Sequence, residues 1–172
     1  MIWLIIAKLL ALPGIVDRLI ARAKRTPYTH ITGPDGSLYM ERYWLFNPYP
    51  GNSDGDGRRW AWLPSVRLHR IMREDFDRGA MHDHPWNART IILRGWYAER
   101  RLDAPNEREI EYFRRAGDTA RLNFGEFHQI TVVPLGGVWT FFIVGRKRGT
   151  WGFRVDGVKV PWRTYLGLEV KE

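Results

Sequence analysis

Apolar and polar positions repeat along this chain with two different periods, and the period changes near residue 27. Between Ile15 and Arg25 the apolar residues Ile15, Val16, Leu19, Ile20 and Ala23 recur at helical spacing against Arg18, Arg22 and Arg25, which predicts an amphipathic helix. Ahead of it, Met1 to Leu12 is apolar except for Lys8 and meets the helix at Pro13-Gly14. That run is shorter than the roughly 20 apolar residues of a membrane-spanning helix. It also lacks the positive start and small-residue cleavage site of a secretory signal. The expectation is a helical segment over residues 1–26 lying on the rest of the chain. Contact with a membrane surface or with a partner is the alternative.

From residue 27 onward the period is that of strands. Gly33-Pro34-Asp35-Gly36 is a turn between Tyr28–Ile31 and Leu38–Phe46, which predicts a hairpin. Asn47 to Gly57 reads as a loop because it holds two Pro, three Gly and two Asp. Strand candidates follow at Val66–Met72, Thr90–Arg100, Ile110–Phe113, Thr119–Leu122, Gln129–Val133, Val138–Val144 and Trp151–Val155. Short strands at such regular intervals, separated by Gly, Pro or charged turns, predict an antiparallel sandwich or jelly roll over residues 27–172. Pro161–Tyr165 and the tail after it read as an edge strand or a packed extension.

Composition narrows the chemistry. The 172 residues suit one domain with a core of its own. Hydrophobic residues at 44% and charged residues at 27% are a globular balance. Nine Trp, eight Phe and seven Tyr exceed what a core of this size needs, and flat rings also line small-molecule pockets. Cysteine is absent, so disulfides, thiolate metal sites and a Cys nucleophile are excluded. A cytoplasmic location is the expectation. The formal net charge of +8 invites a nucleic-acid partner. However, the basic residues are spread in small groups, Lys24-Arg25, Arg100-Arg101, Arg114-Arg115 and Arg146-Lys147-Arg148, without a nucleic-acid-binding signature, so that role is secondary.

The five histidines are His30, His69, His82, His84 and His128. In His82-Asp83-His84 the two imidazoles lie two residues apart, so in an extended chain both project to one face and can reach a common point. His69 sits in a strand candidate and reads as a partner behind a metal ligand, a general base or a core histidine. His30, in the first hairpin, has no companion that suggests chemistry. Of Trp96 and Tyr97, alternation turns one inward, and Tyr97 is a candidate acid or substrate contact.

Downstream, Gly117, Asn123, Gly125 and His128 follow the spacing G-x5-P-x-G-x2-H, with Asn123 where proline is usual. Together with His82, His84 and Gly95, which match parts of a first motif G-x5-H-x-H-x3,4-E-x6-G, this resembles the cupin superfamily. The motifs span about residues 77–130. Within that superfamily, the runs His82-Asp83-His84-Pro85-Trp86, Trp139–Phe142 and Trp151-Gly152-Phe153 resemble those of small cupin-like proteins of bacteriophage and bacterial genomes.

The resemblance implies an all-β fold, a double-stranded β-helix or jelly-roll barrel behind the N-terminal amphipathic helix. It further implies one divalent metal ion held by His82, His84 and His128. Where the superfamily has a ligating glutamate this chain has Ala88 and Arg89, and arginine cannot ligate a cation. Three imidazoles with open positions then remain, an arrangement known in the thiol dioxygenases of the superfamily. Fe(II) is the first choice of ion, with Zn, Ni, Mn or Cu as alternatives. A site without a carboxylate ligand favours a small anionic substrate, with Arg89 as its clamp. Arg89 could instead pair with Asp83 or Glu99 or project outward, and Glu126 could replace the missing carboxylate.

The function expected on this basis is that of a metal-dependent oxygenase. The alternatives are a sugar-nucleotide isomerase or epimerase, and a non-catalytic module that binds nucleic acid, a membrane or a viral assembly. Pairing of two barrels into a homodimer is common in the superfamily and is one partner arrangement that the sequence leaves open.

Overall fold

Alternating side chains lay down eleven strands among the residues that the computed structural model describes, which are 1–33, 35–49, 58–75, 80–103 and 108–168. They are β1 (Pro27–Thr32), β2 (Leu38–Phe46), β3 (Ser65–Ile71), β4 (Trp86–Arg94), β5 (Trp96–Asp103), β6 (Arg108–Arg115), β7 (Thr119–Leu122), β8 (His128–Val132), β9 (Val138–Lys147), β10 (Gly152–Val155) and β11 (Val158–Pro161). The predicted hairpin is present as β1 and β2. Most of the predicted loop, residues 50–57, lies outside the described residues.

The strands form a six-stranded sheet in the order β1-β2-β3-β9-β4-β7, a three-stranded sheet β6-β5-β8 and a hairpin β10-β11, with every pairing antiparallel. The two larger sheets face each other as a jelly roll. Ile71, Ile92 and Val138 of the first pack against Tyr97 and Ile130 of the second, and Ala88, Leu122, Phe142 and Val144 extend the seam.

The single strand expected over Thr90–Arg100 is two strands. Gly95 breaks it with φ +85°, where a Cβ would meet the Gly137 carbonyl at 3.0 Å, and the chain there passes from one sheet to the other. Beyond β11, Trp162–Tyr165 is a short helix (α3) rather than an edge strand, because Pro161 ends the ladder and the next residues satisfy their own backbone.

The N-terminal segment forms two helices, α1 (Ile2–Leu10) and α2 (Pro13–Ala23), where the periodicity alone predicts the second. Pro13 opens α2, a position where its missing N–H is no loss. Both helices lie on the outer face of the six-stranded sheet, and Ala7, Val16 and Ala23 are buried there against Tyr43, Leu68, Ile91, Leu93 and Trp139. An ion pair from Asp17 to Arg94 ties α2 to the end of β4. The six-stranded sheet is therefore covered on both faces. Its apolar stripe (Leu68, Ile91, Leu93, Trp139) meets the helices, and the opposite stripe lines the barrel.

Candidate metal centre

The site is assembled on backbone pairing. His82 is a one-residue bridge between β8 and β10, paired with both His128 and Phe153. The amide of each histidine donates to the carbonyl of the other at 2.9 Å, so the two residues stand directly opposite on one face. Asp83 points the other way. It is fully buried, accepts from the Gly152 amide at 2.7 Å and pairs with Lys159, which pins the segment to the β10-β11 hairpin. His84, one alternation further on, returns to the face of His82. The turn before β8 gives His128 its place: Gly117 and Gly125 take positive φ. Asn123 fills the usual proline position and binds the Glu126 carboxylate through its backbone amide at 2.9 Å and its side-chain amide at 3.0 Å.

The ligand nitrogens of His82, His84 and His128 all lie within 4.8 Å of one another. His84 Nε2 and His128 Nε2 are 2.9 Å apart, and the ring centroids are separated by 4.6–5.2 Å. Among the described residues no carboxylate joins this cluster. Carboxylates stand behind it instead. Asp75 Oδ2 faces His82 Nδ1 at 3.5 Å, and Glu99 Oε2 faces His128 Nδ1 at 3.5 Å. A carboxylate on the far nitrogen sets the tautomer and raises the basicity of the nitrogen that would meet a cation. A metal therefore fits this donor set: three convergent imidazoles, two of them backed by buried acids.

Both acids are themselves fixed. Asp75 Oδ2 accepts from the Ile130 amide at 2.7 Å, and Asp75 also binds the Tyr39 hydroxyl. Glu99 binds Arg114 Nε at 2.6 Å and Arg101 Nη2 at 3.1 Å. Burial opposes ionisation of Glu99, but hydrogen bonding to His128 and the Arg101 charge prevail and hold its carboxyl at about 2. Two of the imidazoles, those of His82 and His84, are held neutral. Burial pushes His82 down to about 4, against the opposing pull of Asp75. His84 lies well below its ordinary value through burial and its histidine neighbours. Neutral imidazole is the form that ligates.

The wall above the cluster comes from β3, where Arg67, His69 and Ile71 share the inward stripe. His69 is buried against Phe142, with Nε2 lacking a hydrogen-bond partner, and burial together with the Arg67 charge keeps it neutral. Arg67 is buried among Trp44, Tyr49 and Trp86, with its guanidinium carbon 4.8–5.2 Å from their centroids. The Tyr28 hydroxyl lies beside it, yet Nε and Nη2 make no hydrogen bond and no carboxylate pairs with it among the described residues. Trp86 in turn stacks on His84 at 6.2 Å.

The other residues singled out from the sequence fall elsewhere. Arg89 does not enter the barrel. It belongs to the outward stripe of β4 with Ile91 and Leu93, and its guanidinium lies over the Trp3 ring at 4.6 Å, bonded to Thr119 and paired with neither Asp83 nor Glu99. Tyr97 does face inward, two residues before Glu99 on β5, packed with Ile71, Ile92, Ile130 and Val138. Burial raises its hydroxyl far above the ordinary phenol value. Glu126 is occupied by the turn and by Arg101 at 3.2 Å, so it is no ligand. His30 accepts from the Arg42 amide at 3.1 Å.

Sequence reasoning missed Asp75, Glu99 and Arg67. For Glu99 a signal was present, since Tyr97, Glu99 and Arg101 alternate onto one side of β5. Asp75 follows a strand end, and nothing local marks it.

No protein-family model and no curated protein matches the sequence. Solved structures do match. The chain resembles oxalate decarboxylase from Bacillus subtilis at pH 4.6 with a TM-score of 0.55 and 9% identity, over 86% of this chain and 33% of that one. It also resembles Bacillus subtilis oxalate decarboxylase in a study of its Mn(II) centres, with a TM-score of 0.52 and 14% identity, over 89% and 33%. The chain thus spans about a third of their length, and at such identities the likeness is one of fold.

Proposed function

From the premise that this chain is built on the cupin fold, we propose that it is a metal-dependent enzyme. His82, His84 and His128 hold one divalent cation, and a small anionic molecule is the substrate. The observation that carries this reading is the convergence of three imidazoles, none of them paired with an acid on the side that faces the others. The Mn(II) centres of oxalate decarboxylase stand on the same fold.

A cation bound there would supply a Lewis acid and, as Fe(II), a redox centre through which electrons of the substrate reach dioxygen. The residues of the chain do the rest. Asp75 and Glu99 hold His82 and His128 in the tautomer that leaves the facing nitrogen free. Arg67, which no carboxylate among the described residues neutralises, supplies the buried positive charge that orients a carboxylate or similar anion, with its planar fork as the recognition element. His69 Nε2, neutral and unpartnered, is left to hydrogen-bond the substrate. Trp44, Tyr49 and Trp86 exclude water around Arg67, which strengthens its hold on an anion.

Elemental analysis of protein purified without a polyhistidine tag, repeated on His128→Ala, tests the metal. Near one equivalent in the wild type and almost none in the variant is the expected result. Anaerobic loading with Fe(II) and measurement of oxygen uptake over small acids and thiols tests the reaction, and absence of turnover across both classes counts against an oxygenase. Zinc in place of iron in the native protein would favour an isomerase-type reaction.

A further inference from the structure

Helix α1 is apolar on all sides and covered on one. Ile6, Ala7 and Leu10 pack on the sheet, with Ala7 fully buried, and Trp3 lies under the Arg89 guanidinium. Ile2, Ile5 and Leu9, three to four residues apart, form the opposite stripe and are 68%, 53% and 53% exposed, and Leu12, 49% exposed, continues it just beyond the helix. Lys8 is the only polar side chain of the helix. A contiguous aliphatic stripe of this kind on a soluble surface marks a contact with something apolar.

The surroundings say what. Arg89 and Arg121 are direct cross-strand partners on β4 and β7, a like-charge pairing that is unfavourable without an anion between them. Neither makes a salt bridge among the described residues, and the one hydrogen bond of Arg89 goes to the Thr119 hydroxyl at 3.2 Å. With Trp3 they line a shallow cleft of about 310 Å³ at the base of α1. On the far side, Arg18 and Arg22 of α2 and Arg25 just after it are exposed. An aliphatic stripe bordered by unpaired guanidiniums, with a tryptophan at the boundary, is complementary to acyl chains beneath anionic headgroups. No described helix is long and apolar enough to cross a bilayer, so α1 would lie in the interface.

We propose that the exposed stripe of α1 docks this protein on the surface of an anionic phospholipid bilayer, with Arg89 and Arg121 receiving a headgroup phosphate beside Trp3. The surface is separate from the histidine cluster and does not depend on the reaction proposed there.

Cosedimentation of the full chain with phosphatidylcholine vesicles, with and without phosphatidylglycerol, tests the proposal. The wild type should partition to the anionic vesicles and release at high salt. The double variant Ile5→Glu/Leu9→Glu should partition at least about tenfold less, and Arg89→Gln/Arg121→Gln should lose about fivefold per guanidinium. Unchanged melting temperature shows that each variant is folded. Without any substitution, brominated acyl chains should quench tryptophan fluorescence of the wild type. Failure to sediment with anionic vesicles, equal binding to neutral ones, or wild-type partition by Ile5→Glu/Leu9→Glu would overturn the proposal. So would a dimer in light scattering that the same pair of substitutions dissociates, since a second copy would then cover the stripe.

Discussion

Inside the barrel, Arg67, His69, Glu99 and His128 are withdrawn from water, with His82 and His84 half-buried beside them, whereas in the N-terminal segment four aliphatic side chains stand in it. The two regions depart from the ordinary partition of polar and apolar groups in opposite senses, and they do so on opposite faces of the same sheet. The contrast teaches where to look for function, because a folded chain tolerates such departures chiefly where a site requires them. In the interior the departure is organised: each acid has a partner, and three imidazoles converge on one another. On α1 it is a plain excess of apolar surface next to excess positive charge.

The sharpest way to break the interior half is His84→Ala. It removes one of three ligands, and the metal content measured after gel filtration should drop from near one equivalent to near zero. Glu99→Gln keeps shape but removes the charge behind His128. Metal affinity, read by competition with a chelator, should fall about 10- to 100-fold. Arg67→Met should leave the metal in place while weakening binding of small carboxylates to the Co(II)-loaded protein by about tenfold, the value of one charge-assisted contact. Equal carboxylate affinity in that variant would remove Arg67 from the site.

Protonation reaches the interior as well. The folded-state value of His82 lies near 4, below its ordinary 6.5, so the unfolded chain binds the extra proton first as pH falls. Stability of the metal-free protein should hold above pH 6.5 and decline toward pH 4, with a slope of about 1.4 kcal/mol per pH unit for each such group. Glu99, held near 2 against an ordinary 4.5, extends the decline from pH 4.5 downward, because its favourable contacts are lost as it protonates. Urea midpoints across pH measure both. A flat profile between pH 6.5 and 4 would mean that the imidazoles are not held neutral by burial.

The smallest effect belongs to the exposed stripe. Leu9→Ala should change stability by no more than about 0.5 kcal/mol. By contrast Leu93→Ala, 1% exposed beneath the helices, should cost about 2–5 kcal/mol by opening a cavity. Chemical unfolding of the pair compares the two leucines directly. A costly Leu9→Ala would show that the stripe is a buried part of the fold.

Much of the architecture was legible along the chain. Strand alternation, the Gly33–Gly36 turn and the helical spacing of Ile15 to Ala23 are local, since each depends on neighbours within a few residues. The three histidines were legible too. His82 and His84 share a face by spacing, and the Gly117–His128 run is a turn-and-strand signature. Arg89 was not, because spacing from His84 locates it on β4 without saying which side of the sheet it takes. The same gap hid Arg67: in Ser65-Val66-Arg67-Leu68-His69 either stripe could have been the outer one.

What the sequence determined by itself is therefore which side chains travel together: the stripe of Arg67 and His69, the stripe of Tyr97, Glu99 and Arg101, the pair His82 and His84. Tertiary structure alone decided which stripe faces the barrel, and it did so by laying α1 and α2 over the leucine and isoleucine side of the sheet, turning the polar side inward. It also brought Asp75 and Glu99 behind imidazoles that lie distant in sequence. Periodicity is a property of neighbouring bonds, whereas inside and outside exist only once a second layer has packed.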